Sequence, residues 1–167
     1  MIRTARPEDI PALRRLEVAA GKAFAQVGMA KVAGDEALPA DEMLTFQRDG
    51  RAWVTADEDD QPIAYLLALW VDGVAHVEQV SVDPAHAGHG IGAALIEHVA
   101  GWARSQGSPA LTLTTFAEVA WNAPYYERLG FRRLADDELT PGLRALRAEE
   151  AAHGLDEWPR LAMRRDL

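Results

Sequence analysis

The chain has no cysteine, which removes disulfides, thiolate nucleophiles and Cys-ligated zinc from consideration. No run approaches the roughly 18 uninterrupted apolar residues of a membrane span. Met1 to Asp9 lacks the apolar core, roughly 7–15 residues long, of a secretory signal. A cytoplasmic protein without a membrane partner is therefore expected. Positive charge is scarce: 17 Lys and Arg stand against 26 Asp and Glu, leaving a formal charge of −9. That deficit argues against nucleic acid as a partner, because phosphate backbones are held by Lys and Arg. It suits a cationic small substrate, although a surface kept acidic for solubility accounts for it more readily. No internal repeat, low-complexity tract or Gly/Ser linker is visible. A chain of 167 residues, 49% of them apolar, is read as one domain, 1–167, with a sizeable core.

What is present is an order of elements. Ile2 to Arg6 reads as a strand, and Pro7-Glu8-Asp9 opens a helix whose apolar face is Ile10, Leu13, Leu16 and Ala20. Gly21 to Pro39, with Gly21, Gly28 and Gly34, reads as a mobile loop, followed by a short helix from Asp41 to Arg48. Strands are expected at Ala52–Ala56, Ile63–Val71 and Val74–Val82, with Asp57–Asp60 and Asp72-Gly73 as turns. The acidic quartet is assigned to a solvated turn, and no metal is expected. Ile91, Leu95, Val99 and Trp102 have helical spacing, and Gly107-Ser108-Pro109 stops that helix. A strand at Ala110–Phe116, a helix at Asn122–Leu129, a strand at Phe131–Leu134, a helix begun by Thr140-Pro141 and a strand at Arg160–Arg164 complete the order. Such an order means a mixed α/β sheet.

Between the β-branched Val80-Ser81-Val82 and the helix beginning near Ile91 lie Gly88, Gly90 and Gly92. Glycines at alternate positions permit a tight turn and leave backbone N–H groups uncovered where a helix dipole is positive. That arrangement holds a phosphate or pyrophosphate; a turn that only starts a helix would use the same residues. The spacing is not the Gly-x-Gly-x-x-Gly of a dinucleotide fold, and the Gly-Lys-Ser/Thr of a Walker loop is missing.

The segment Val82-Asp83-Pro84-Ala85-His86-Ala87-Gly88-His89-Gly90-Ile91-Gly92 resembles the acetyl-CoA signature of the GCN5-related N-acetyltransferase (GNAT) superfamily. Downstream, Tyr125-Tyr126-Glu127-Arg128-Leu129-Gly130-Phe131 resembles that family's Phe-Tyr-x-x-x-Gly-Phe block, and the two blocks are separated as in the family. The resemblance covers about residues 74–134. It implies a central mixed, mostly antiparallel twisted sheet flanked by helices, with splayed strands forming an acetyl-CoA cleft. It further implies acetyl-CoA as cosubstrate and a small-molecule or peptide amine as acceptor. Family relatives are often dimers, so a homodimer is left open. The implied cofactor-binding residues are Val80, Val82, Ala87, Gly88, His89, Gly90, Ile91, Gly92 and Asn122. The Val80 and Val82 backbones would pair with the pantetheine arm, and Asn122 would contact CoA or cap its helix. Ala87 departs from the usual Arg or Gln; it keeps the backbone amide, and His86 or His89 could replace the lost side chain.

Acetyl transfer to an amine needs a base for the ammonium, donors for the oxyanion and a proton for the departing thiolate. By resemblance, Tyr126 is the general acid, whereas Tyr125, in the slot usually filled by Phe, suits the core. Glu78 is the candidate base, and period-2 alternation puts His76 on the same strand face, able to serve alone or with it. A catalytically silent acyl-CoA-binding sensor of the same fold is the alternative function.

Overall fold

Strands β1 (Ile2–Thr4), β2 (Ala52–Ala56), β3 (Pro62–Val71), β4 (Val74–Val82), β5 (Ala110–Phe116), β6 (Arg132–Arg133) and β7 (Arg160–Asp166) form one hydrogen-bonded order, β1-β2-β3-β4-β5-β7-β6, in a computed structural model describing residues 1–167. The helices are α1 (Ile10–Gly21), α2 (Ala30–Ala33), α3 (Ala40–Arg48), α4 (Ile91–Ser105), α5 (Ala123–Arg128) and α6 (Pro141–Ala152). The pairs β1–β2, β2–β3, β5–β7 and β6–β7 are antiparallel, and β4–β5 is parallel. This is the mixed, mostly antiparallel sheet the sequence pointed to. The chain divides into two compact units, Met1–Leu69 with Glu78–Val99, and Trp70–Val77 with Ala100–Leu167.

In the first unit the apolar face of α1 buries Ile10, Leu13 and Leu16 against Val54, Tyr65 and Leu67, and Met43 and Phe46 of α3 join the same cluster. Arg3 anchors the entry to α1. Its guanidinium meets Asp9 at 2.8 Å and Asp60 at 2.9 Å, and Asp9 also accepts the Arg6 N–H at 2.7 Å. Asp60 is therefore more than a turn residue, although the quartet does form the turn expected of it.

Residues 21–39 differ from the loop expected there. Lys22–Val27 is a 3₁₀ helix ended by Gly28 at φ 78°, and α2 follows. Three glycines read as a break, but the intervening alanines favour helical turns and only Gly28 needs the left-handed region. Glu17 of α1 closes the segment by accepting the Leu38 N–H at 2.8 Å.

Asp72 and Gly73, at φ 53° and 77°, form a two-residue turn that sets Val71 opposite Val74. Farther along, the Asp83 N–H donates to the Ile63 carbonyl at 2.8 Å, one residue out of that register. Strand β4 thus carries one extra residue, a bulge. Burial along it agrees: Ala75, His76 and Val77 are buried in succession and Glu78 is exposed. The simple alternation that put His76 and Glu78 on one face is interrupted here.

In the second unit, α6 is bound to the sheet by charge. Glu150 accepts from Thr114 at 2.5 Å and pairs with Arg147 at 2.8 Å and Arg160 at 3.3 Å, while Arg160 also lies 4.4 Å over the Phe116 ring. At the other end of α6, the Asp72 carboxylate accepts the Gly142 N–H at 2.8 Å.

Candidate functional site

In the first unit, β4 runs into the glycine loop. Val80 and Val82 are half-buried, and Ser81 between them is buried. Asp83 caps the following turn, accepting the Ala85 N–H at 3.0 Å, and the Ala87 N–H closes the turn on the Pro84 carbonyl at 3.3 Å. The Ala87 amide is thus engaged within the chain. Gly88 and Gly90 then take φ 82° and 72°, a conformation that L side chains rarely adopt. A Cβ at either would meet nothing within 4 Å, so the glycines serve the backbone turn and leave open space beside it. The first helical bond of α4 runs from the Ala94 N–H to the Gly90 carbonyl at 3.0 Å. The N–H groups of Ile91, Gly92 and Ala93 consequently precede any i−4 acceptor in the helix. This is the backbone an anionic diphosphate requires, with the helix dipole behind it. His86 lies 3.4 Å from Asp83, and His89 is exposed on the loop.

In the second unit, the Tyr-Tyr-x-x-x-Gly-Phe block shows why its residue types recur together. Gly130 ends α5 in the left-handed region at φ 93°. The Phe131 N–H donates to the Tyr126 carbonyl and the Gly130 N–H to the Glu127 carbonyl, both at 3.1 Å. These are the two bonds of a Schellman cap, whose apolar contact is the Tyr126–Phe131 ring pair at 5.9 Å. Glycine and phenylalanine in the motif therefore fix the Tyr126 ring. Tyr126 is buried, and burial with neighbouring Tyr125 pushes its phenol well above the ordinary value, so it stays protonated near neutrality. The expected division of labour between the tyrosines changes in one respect: Tyr126 is the more buried and Tyr125 the less, with Arg128 5.7 Å over its ring. Asn122 precedes α5, but its amide donates to the Trp121 carbonyl at 3.0 Å and does not cap the helix; its own carbonyl accepts the Tyr126 N–H at 3.0 Å.

Glu78 is exposed on β4. His76 is 1% exposed, with Nδ1 2.8 Å from the Thr112 hydroxyl. Burial pushes its pKa down to about 4, with Glu150 opposing slightly, so the ring is neutral at physiological pH. The structure thus gathers the loop residues Val80 to Gly92 in one unit, and Asn122 and Tyr126 in the other. Sequence reasoning missed the Arg164–Arg132 pairing across β7 and β6 and the charged grip of Glu150 on α6. Neither has a local signal, because the partners lie far apart in the chain.

The family model for the acetyltransferase (GNAT) family matches residues 17–131. Among curated proteins, glucosamine 6-phosphate N-acetyltransferase of Trypanosoma brucei brucei is 41% identical over 59 residues, 35% of this chain and 38% of that protein. The peptidyl-lysine N-acetyltransferase YjaB of Escherichia coli K12 is 28% identical over 92 residues, 55% of this chain and 56% of that one. The matched region thus spans about half the length of these relatives or less. Among solved structures, Rv2747 from Mycobacterium tuberculosis, in complex with CoA and NLQ, superposes with a TM-score of 0.71 at 20% identity, covering 100% of this chain and 99% of that one. That likeness concerns the fold.

Proposed function

This chain belongs to the acetyltransferase (GNAT) family, and on that premise we propose that it transfers the acetyl group of acetyl-CoA to a primary amine of a small molecule or peptide. The observation that carries the reading is the glycine loop. Gly88 and Gly90 are left-handed beside open space, and the α4 N-terminus follows with amides uncommitted to the helix ladder. The relatives named above act on an amino-sugar phosphate and on peptidyl-lysine, which supports a primary amine as acceptor.

In this reading the Gly88–Gly92 backbone holds the diphosphate of CoA, and the Val80 and Val82 backbones hold the pantetheine arm as an added strand. A free alkylamine has a pKa of about 10 and must lose a proton before it attacks. Glu78, exposed to water on β4, takes that proton directly or through a water. The amine nitrogen bonds to the thioester carbon, the tetrahedral intermediate releases the nitrogen's surplus proton to solvent and collapses, and the C–S bond breaks. Tyr126 donates its phenolic proton to the departing sulfur and recovers one from solvent. Burial keeps that proton in place until the thiolate forms.

The test is thiol release from acetyl-CoA with a panel of amines that includes glucosamine 6-phosphate and a lysine peptide. Amine-dependent release is the expected result. Saturable CoA binding with no release on any amine would instead make the chain an acyl-CoA sensor.

A further inference from the structure

The second unit holds a cavity of about 330 Å³ under the start of α6, lined by none of the residues given a role in acetyl transfer above. The sheet register builds its floor. Thr112 of β5 stands opposite Arg164 of β7, and Arg164 stands opposite Arg132 of β6, so three cross-strand neighbours share one face. Two guanidinium groups placed directly opposite repel unless an anion lies between them. The protein gives each guanidinium one direct carboxylate contact, Arg132 Nη1 to Glu138 Oε2 at 2.7 Å and Arg164 Nε to Asp166 Oδ1 at 2.8 Å, and Asp166 also acts on Arg132 through space. A guanidinium carries five donors, and neither contact is the two-point fork that carboxylates favour. The cavity is thus lined by two adjacent cations and two anions, with Val74 and Leu143 among its apolar walls.

We propose that this cavity binds a free zwitterionic α-amino acid with an apolar side chain. Its carboxylate sits between Arg132 and Arg164, its ammonium reaches Glu138 or Asp166, and its side chain lies against Val74 and Leu143. A simple anion would satisfy the guanidinium pair but face both carboxylates. A simple amine would meet two cations. Only a ligand carrying both charges matches the lining, and a volume of this order suits a small organic molecule.

The proposal is independent of the acetyl-transfer reading, so its test is direct binding. L-leucine is titrated into the intact protein by calorimetry, beside N-acetyl-L-leucine, which lacks the ammonium, and 3-methylbutylamine, which lacks the carboxylate. Saturable leucine binding is expected, with each analogue weaker by about tenfold or more. Arg132→Gln and Arg164→Gln should each weaken leucine to a similar degree while leaving the melting temperature unchanged. Glu138→Gln serves as a third variant should either arginine prove structural. The idea is overturned if leucine does not saturate, if the analogues match it, or if folded variants keep full affinity.

Discussion

Tyr126 and Gly90 lend themselves to single-residue tests because each acts through one chemical feature. Tyr126→Phe keeps the ring that packs on Phe131 and removes only the hydroxyl. In the proposed mechanism kcat should drop by about 10²–10⁴-fold, with CoA affinity and melting temperature nearly unchanged. Steady-state thiol release checks this, and an unaltered kcat would remove the phenol from the chemistry. At Gly90 the φ of 72° makes any β-branched residue strained, by roughly 1–2 kcal/mol. A Cβ there touches no protein atom within 4 Å, so Gly90→Val should leave a folded chain of lowered stability. The same Cβ would occupy space proposed for the diphosphate, so acetyl-CoA affinity should drop by far more than stability does. Calorimetric binding beside a thermal melt separates the two effects. Retained affinity would reduce the loop to a turn.

At the scale of elements, α6 is held at both ends by groups outside its own sequence. Asp72, in the β3–β4 turn, accepts the Gly142 N–H, and its hydrogen bond with Thr140, helped by that contact, keeps its carboxyl below the usual range. A Cβ on Gly142 would lie 2.7 Å from Val71 Cγ1 and 2.8 Å from Asp72 Oδ2. Gly142→Ala should therefore destabilise the protein by about 1–3 kcal/mol, despite adding a better helix former. Asp72→Ala, which removes the Gly142 acceptor without overpacking, should lower stability by less than Gly142→Ala does. Urea unfolding measures both, and a Gly142→Ala variant as stable as the parent would show that the Val71–Asp72 turn gives way freely. Toward the other end of α6, Glu150 lies between Arg147 and Arg160, so the helix is fastened by charge where its packing surface, Leu143 and Leu146, gives out.

For the whole molecule, stability should depend on pH through His76. Its folded pKa of about 4 lies below the ordinary 6.5, so below 6.5 the unfolded chain takes up a proton that the folded one refuses. Stability is complete above pH 6.5 and is lost as pH falls toward 4, by up to about 3 kcal/mol for a shift of that size. Glu17 works in the opposite direction: burial raises its pKa, so its charging as pH rises above the ordinary carboxylate range weakens the fold. Asp9 and Glu150, both lowered, lose their contributions only at more acid pH. Urea melts from pH 7 to 4.5 should show the loss, and His76→Gln should flatten it; an equally steep profile in that variant would assign the dependence elsewhere.

Local patterns alone determined the element order from Ala52 onward, the glycine loop and the Tyr126 block. Period-2 strands, helical apolar spacing and turn glycines are short-range signals, and the backbone obeys them wherever packing agrees. Tertiary structure decided the rest. It made helical turns of residues 21–39, where three glycines imitate a loop, and put an extra residue into β4 that breaks the alternation joining His76 to Glu78. It buried Tyr126 more deeply than Tyr125, turned the Asn122 amide back on Trp121, and set Arg164 against Arg132. Each of these depends on partners distant in sequence, on strand register or on a cap closed across elements, and no window of neighbouring residues contains that information.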